Sequence, residues 1–385
     1  MENSVTQKLR ARLLAMHSLR AWLACAGVFL LFAVAVPGLN AWTAPGSALH
    51  VPEYIITVGG KFLCYAIVAI AIDMIWGFTG ILSLGHGVFF ALGGYAIGMY
   101  MMRVMAGEGV YRSELPDFMV FLDWKELPWF WLGFDNFFFA LFMALFIPGL
   151  LAYVFGFFAF RSRIRGVYFS IITQAMTYAL MLWFFRNDAG FGGNNGLTDF
   201  KRIYGYPLAA PSTKLALFVL SAVVCAAVYL LCRYIVTGKL GRIMRALRDH
   251  ESKVMFTGYS PLRYKLFVWT LSAVLCGLAG VLYVPQVGII NPSEMQPANS
   301  IEMAIWVAVG GRATLGGAAL GAFVVNGAKS WFTASAPDLW LYVLGALFVF
   351  ITLCLPGGLA SALDNPVVAK LKSRLSGSRA ATPAE

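Results

Sequence analysis

The chain is 385 residues long, 60% hydrophobic and only 12% charged, with a formal net charge of +11. Soluble domains carry roughly 25% charged and about 45–50% apolar residues, so this composition excludes an ordinary soluble globular protein. Its Lys and Arg residues sit in short clusters between long apolar blocks, not in one patch interleaved with aromatics. That pattern argues for membrane topology and against nucleic-acid binding.

In chain order, Lys8, Arg10, Arg12 and Arg20 precede an apolar block from Ala21 to about Leu39. A charged start before an apolar run can open a cleaved signal peptide. The many equal blocks that follow favour an uncleaved first span. Further blocks run at about 54–76, 84–105, 136–160, 167–186, 214–236 and 265–285. Each is near the roughly 20 residues that cross the hydrocarbon. A short block near 300–310, a Gly-rich one near 315–333 and a last one near 338–355 complete the series.

The N-terminus, the turn Arg161–Arg165, the stretch from Arg233 to Lys265 and the tail with Lys370, Lys372 and Arg374 are basic, while the alternate loops are acidic or mixed. Basic loops stay cytoplasmic, which puts both termini inside. If Arg312 marks one more cytoplasmic turn there are ten crossings; if the short block is re-entrant there are eight. Trp124, Trp129 and Trp131 read as an outer interfacial belt. The expected fold is an all-α integral membrane protein with about eight to ten transmembrane helices and Gly-rich broken or re-entrant segments. A cytoplasmic segment (1–20), a transmembrane domain (21–355) and a cytoplasmic, disordered tail (356–385) divide it.

The chemistry of an enzyme is missing. Gly327-Ala328-Lys329-Ser330 ends like a phosphate-binding loop but lacks the glycine four positions earlier and lies in an apolar block. Six cysteines fall in or at the ends of apolar blocks, with no C-x-x-C pair and no metal-ligand spacing. No cofactor is expected.

Ionisable residues within spans are costly and point to function. Asp73, Lys61, Glu302 and Lys329 are such residues, and each is either a packing or interfacial group or part of a polar path. His86 follows the Gly-dense run Gly77–Gly85, and a second such run is Gly310–Gly317. Non-helical backbone at membrane depth survives only where protein or water satisfies it, so the two runs suggest a translocation path between them. Asp73, His86, Glu302 and Trp306 are candidate path residues. Asn194 and Asn195, in the external loop Phe191–Asp199, are candidates for its outer mouth. Glu302 and Trp306 are four apart and share one helix face. Asp73, Glu302 and His86 could equally serve as a proton relay in a stand-alone transporter or channel.

The cytoplasmic stretch Gly241–Tyr259 places Ile243, Leu247 and Val254 at helical spacing, with Arg242, Arg245 and Arg248 around them and Gly258 as the stop. It reads as an amphipathic helix, either lying on the membrane surface or docking a partner.

Several stretches together resemble the permease subunits of ATP-binding-cassette importers for branched-chain amino acids and related small solutes. They are Gly80–Gly87, Arg165–Thr173, Gly241–Gly258 and Ala279–Tyr283, and the likeness covers about residues 55–355. Within that family the chain looks most like the urea permease subunit, on Gly192–Phe200 and on Asn291-Pro292 through Ser300–Val307. The general family carries an acidic or polar residue where Val167 stands, and the tract after Thr173 differs. The resemblance implies a multi-pass subunit of the bacterial cytoplasmic membrane that forms half of a pore for urea. Its implied partners are a sister permease, two cytoplasmic ATP-binding subunits, an extracytoplasmic solute-binding protein and membrane lipid. It places Glu251–Gly258 at the coupling helix that docks on the ATPase, so Arg242, Arg245, Arg248, Glu251 and Gly258 are the candidate coupling residues. Ser252 and Lys253 stand where alanines are usual. The same machine carrying branched-chain amino acids or short amides is the rival substrate reading.

Overall fold

The computed structural model describes residues 19–363 apart from 45, 48, 355 and 356. The N-terminal segment 1–18 and the tail beyond 363 lie outside the described residues. Among the described residues, seven helices are long and apolar enough to cross a membrane. The first pass runs from α1 (Leu19–Leu30) through a π-helical turn (Leu31–Ala35) into α2 (Val36–Trp42). Next come α3 (Glu53–Thr79) and α4 (His86–Val104); α5 (Asp117–Phe121) is a short external helix. The series continues with α6 (Phe137–Arg161), α7 (Val167–Phe184), α8 (Pro211–Thr237), the cytoplasmic α9 (Lys239–Phe256) and α10 (Pro261–Val287). Start signals are local: Asn136 accepts hydrogen bonds from the Phe138 and Phe139 amides to cap α6, and prolines open α8 and α10.

The centre is a trio, α3, α4 and α10, apolar nearly all round, in which α10 packs on both of the others. Glycines bring these backbones together. A Cβ at Gly93 would overlap the Gly277 carbonyl, so α4 and α10 cross with almost nothing between them.

Of the first Gly-dense run, Gly77–Thr79 still belong to α3, whereas the stretch Gly80–Gly85 is not helical. It climbs from the inner end of α3 to His86, whose ring reaches Ser272, about 16 Å along α10 from Pro261 at 1.5 Å per residue. α4 therefore starts deep in the membrane. The exposed backbone of that climb is satisfied by α7. Thr173 Oγ1 accepts from the Leu84 amide at 3.1 Å, and Ser170 Oγ donates to the Leu82 carbonyl at 2.8 Å. The Gly80–Gly87 and Arg165–Thr173 motifs are thus two halves of one contact, and protein supplies the bonds that broken backbone needs at this depth.

After α10 the chain folds back through a 3-10 turn (Pro292–Met295) into α11 (Pro297–Gly310). A tight turn at Gly311–Leu315 leads to α12 (Gly316–Ser335), then α13 (Trp340–Cys354) and the short α14 (Gly358–Leu363). The turn meets the inner end of α3, with the Arg312 guanidinium 5.1 Å above the Trp76 ring. Arg312 therefore sits at the same end of the array as the turn between α3 and α4, and α11, α12 and α13 follow the seven long apolar helices. Residues 358–363, expected in a disordered tail, are helical, and Gly358 packs on Gly311 of that turn.

The external segments form a layer of their own. Two-residue strands β1 (Leu197–Thr198) and β4 (Ile289–Ile290) pair antiparallel, as do β2 (Arg202–Ile203) and β3 (Tyr206–Pro207). The tryptophan cluster is not a uniform interfacial belt. Trp129 is exposed, but Trp131 is buried and donates to the Gly190 carbonyl at 2.9 Å, pinning one external loop to the other.

Candidate functional site

Seven polar and aromatic residues of the outer half converge between α3, α10, α11, α12 and the Pro292–Met295 turn. Glu302 and Lys329 form an ion pair at 2.7 Å through Oε2. The ammonium of Lys61 lies 5.6 Å from the Tyr65 ring centroid and 5.8 Å from that of Tyr283, a cation over two π faces. Tyr283 donates its hydroxyl to Glu294 Oε1 at 3.1 Å. The Trp306 ring packs 4.8 Å from Tyr65. Glu302 and Trp306, expected to border the path, lie together here, and the surrounding group holds two lysines and two glutamates. Sequence reasoning singled out Lys61 and Lys329 but missed Glu294, Tyr65 and Tyr283, because their proximity depends on where the Pro292–Met295 turn folds back.

Asp73 and His86 lie elsewhere. Asp73 has no exposed surface; Oδ1 accepts from the Ala313 amide at 2.6 Å and Oδ2 from the Leu315 amide at 2.7 Å. Both of those residues hold positive φ (63° and 53°), which L side chains adopt at a cost. The carboxylate holds the cytoplasmic turn in that shape, and neither oxygen is left for a solute. His86 is fully buried, with Nε2 3.1 Å from Ser272 Oγ and its ring edge-on to Phe89 and Trp269. Neither meets the Lys61–Glu302 group, so the structure does not string the three candidate relay residues into one chain.

Asn194 and Asn195 line an external cavity of about 640 Å³, between the 105–122 segment and the Asn187–Lys201 loop. Glycines shape this loop: a side chain at Gly196, at φ 66°, would strike the Ile290 carbonyl across the β1–β4 pair. Thr198 is part of the cavity wall. A cysteine at Thr198 is expected to react with a membrane-impermeant maleimide added to intact cells; labelling only after lysis would invert the orientation.

On the cytoplasmic side α9 is two helices joined at His250, whose φ of −150° and ψ of 81° break the ladder. The expected apolar stripe is present: Ile243, Leu247 and Val254 cluster with Tyr259 and Tyr264. The candidate coupling residues divide. Arg242 and Arg245 are exposed, as is Gly258 at the left-handed stop (φ 83°). Arg248 reaches inward to donate from Nη1 to the Gly77 carbonyl at 2.8 Å, joining this helix to the inner end of α3. Glu251 is held by Lys265 at 2.7 Å and Arg165 at 3.3 Å, which fastens the second half of α9 to the body. Phe256, which sequence reasoning passed over, is 91% exposed beside Met255. An aromatic ring bared on the cytoplasmic face is the outstanding apolar feature of this helix.

Residues 54–352 match the family described as branched-chain amino acid transport system / permease component. Among curated proteins, the high-affinity branched-chain amino acid transport system permease protein LivM of Escherichia coli (strain K12) is 23% identical over 321 residues, covering 77% of this chain and 68% of that one. LivM of Salmonella typhimurium (strain LT2) is 22% identical over 333 residues, covering 81% and 70%. The fructose import permease protein FrcC of Rhizobium meliloti is 28% identical over 122 residues, 30% of this chain and 34% of that one. No solved structure matches. Seven long apolar helices among the described residues, a bonded break at the Gly80–Gly87 motif and a family match over most of its length together place this chain among the branched-chain amino acid transport system permease components, membrane transport subunits and not enzymes.

Proposed function

We propose that this chain forms half of the translocation path of an ATP-driven importer in a bacterial cytoplasmic membrane, and that its solute is urea. The carrying observation for the importer is α9, a helix anchored to the body on one face and bare on the other, in a family of transport permeases. Its partners in this reading are a sister permease, two cytoplasmic ATP-binding subunits and an extracytoplasmic solute-binding protein. Asn194 and Asn195 would border the outer mouth, while Arg242, Arg245 and the second half of α9 would face the ATPase.

The urea reading rests on Gly192–Phe200 and Ser300–Val307, whose resemblance to the urea permease goes beyond the general family. These stretches build the external cavity wall and the Glu302–Trp306 face. A second reading has a specific observation behind it. The two LivM relatives are named for branched-chain amino acids, and Lys61 with Glu302 offers the opposite fixed charges that a zwitterion needs. One experiment separates them. The complete complex, reconstituted with its binding protein, is expected to hydrolyse ATP faster with urea than with leucine, isoleucine or valine. Stimulation by the amino acids alone would replace the urea reading with the second one.

A further inference from the structure

We infer that Lys61, Glu302 and Trp306 form a recognition site for a planar amide within the membrane, with Lys61 as its specificity-determining cation; this rests on the urea reading. Three polar groups here have unspent bonding capacity. Glu302 is 7% exposed, and its Oε1 has no hydrogen-bond partner, although Oε2 is paired with Lys329. Trp306 is 3% exposed, and its indole N–H is likewise unpartnered. Lys61 forms no ion pair or hydrogen bond among the described residues and rests on the faces of Tyr65 and Tyr283. Buried polar atoms are almost always satisfied, and a donor and an acceptor left open on one face of one helix mark a place where a ligand completes the set.

Their chemistry fits an amide. Glu302 Oε1 is an acceptor for a solute N–H, while Trp306 Nε1–H and the Lys61 ammonium are donors for a solute carbonyl oxygen. Glu302 and Trp306 are four apart on α11, so acceptor and donor stand one helical turn apart on a single face. The walls are aromatic and close. Tyr65 lies 4.8 Å from Trp306 and 5.7 Å from Tyr283, ring to ring. Aromatic faces of this kind suit a flat solute that can lie against them. The Glu302 charge is already compensated by Lys329, so the open oxygen serves a neutral N–H without requiring an ammonium. Lys329, 40% exposed along its side chain, marks the side from which the group is reached.

Since the binding protein sets the apparent affinity, the measurement is urea imported per ATP hydrolysed by the full complex in proteoliposomes, with loaded binding protein saturating. Lys61→Met and Trp306→Phe are each expected to lower that ratio about tenfold, the worth of a hydrogen bond involving a charged or buried partner. Lys61→Arg, which keeps the cation, should stay within about threefold of wild type. Unchanged ratios in Lys61→Met and Trp306→Phe would overturn the site. So would equal losses in Lys61→Met and Lys61→Arg accompanied by failure to assemble with the sister permease, since that is a packing role. A wild-type complex that imports leucine and not urea would overturn the urea reading itself, and this assignment with it.

Discussion

Phe256→Asp is expected to strip the ATP-binding subunits from the purified complex. The ring is 91% exposed at the end of the second half of α9, while Val254 two positions earlier anchors that half to the body. An aromatic anchor filling a partner pocket is the kind of residue whose truncation costs about 2 kcal/mol or more, near thirtyfold in affinity. A buried carboxylate in its place adds a desolvation penalty. Insertion should be unaffected, because the side chain touches no span. Co-purification of normal amounts of ATPase with the Phe256→Asp chain would show that the contact lies elsewhere. Arg245→Glu tests the basic rim of the same surface and should weaken the contact with a dependence on ionic strength. Arg248→Glu tests something different, because it removes the bond to the Gly77 carbonyl. Its expected signature is hydrolysis that persists while transport falls.

The second large effect is predicted at Asp73. Asp73→Ala leaves the Ala313 and Leu315 amides buried without acceptors. Each orphaned donor costs about 1–3 kcal/mol, and the turn they belong to is already held at positive φ. A loss of roughly 2–6 kcal/mol is expected, enough to deplete the folded protein. Asp73→Asn should be nearly as damaging, since the amide nitrogen would confront a backbone N–H with another donor. Ala313→Gly, at φ 63°, relieves the backbone without touching the carboxylate and should recover part of the loss. Thermal unfolding of the detergent-solubilised chain checks the series. An Asp73→Ala protein as stable as wild type, and defective only in transport, would return Asp73 to the solute path.

The spans were legible because hydropathy is a property of contiguous residues. Seven of the apolar blocks are the seven long helices, and the last three blocks are the shorter or Gly-rich helices α11, α12 and α13. What the sequence did not carry was long-range pairing. Nothing near Asp73 announces that its partners are Ala313 and Leu315, and nothing near Glu251 announces Lys265 and Arg165. Asp73 read as a packing group or a path residue and Glu251 as a coupling residue, and the particular partners of neither could be foreseen. Phe256 was hidden for the opposite reason. In a chain with 31 phenylalanines, one more has no distinguishing signal until its exposure is known. The break at His250 escaped because the apolar stripe of α9 keeps helical spacing across it.

The Asp73 contact also sets a clock on the ribosome. The carboxylate and the first amide that satisfies it are separated by 240 residues of chain. At roughly 5–20 residues per second, translation leaves α3 waiting on the order of ten to fifty seconds for the turn that completes it. During that interval the five long apolar helices from α4 to α10, and α11 after them, must be threaded beside a span whose carboxylate still lacks its partners. Nascent chains halted while residues 313–315 are still inside the ribosome should therefore be the ones that quality-control proteases clear, and chains long enough to have released that turn the first to survive.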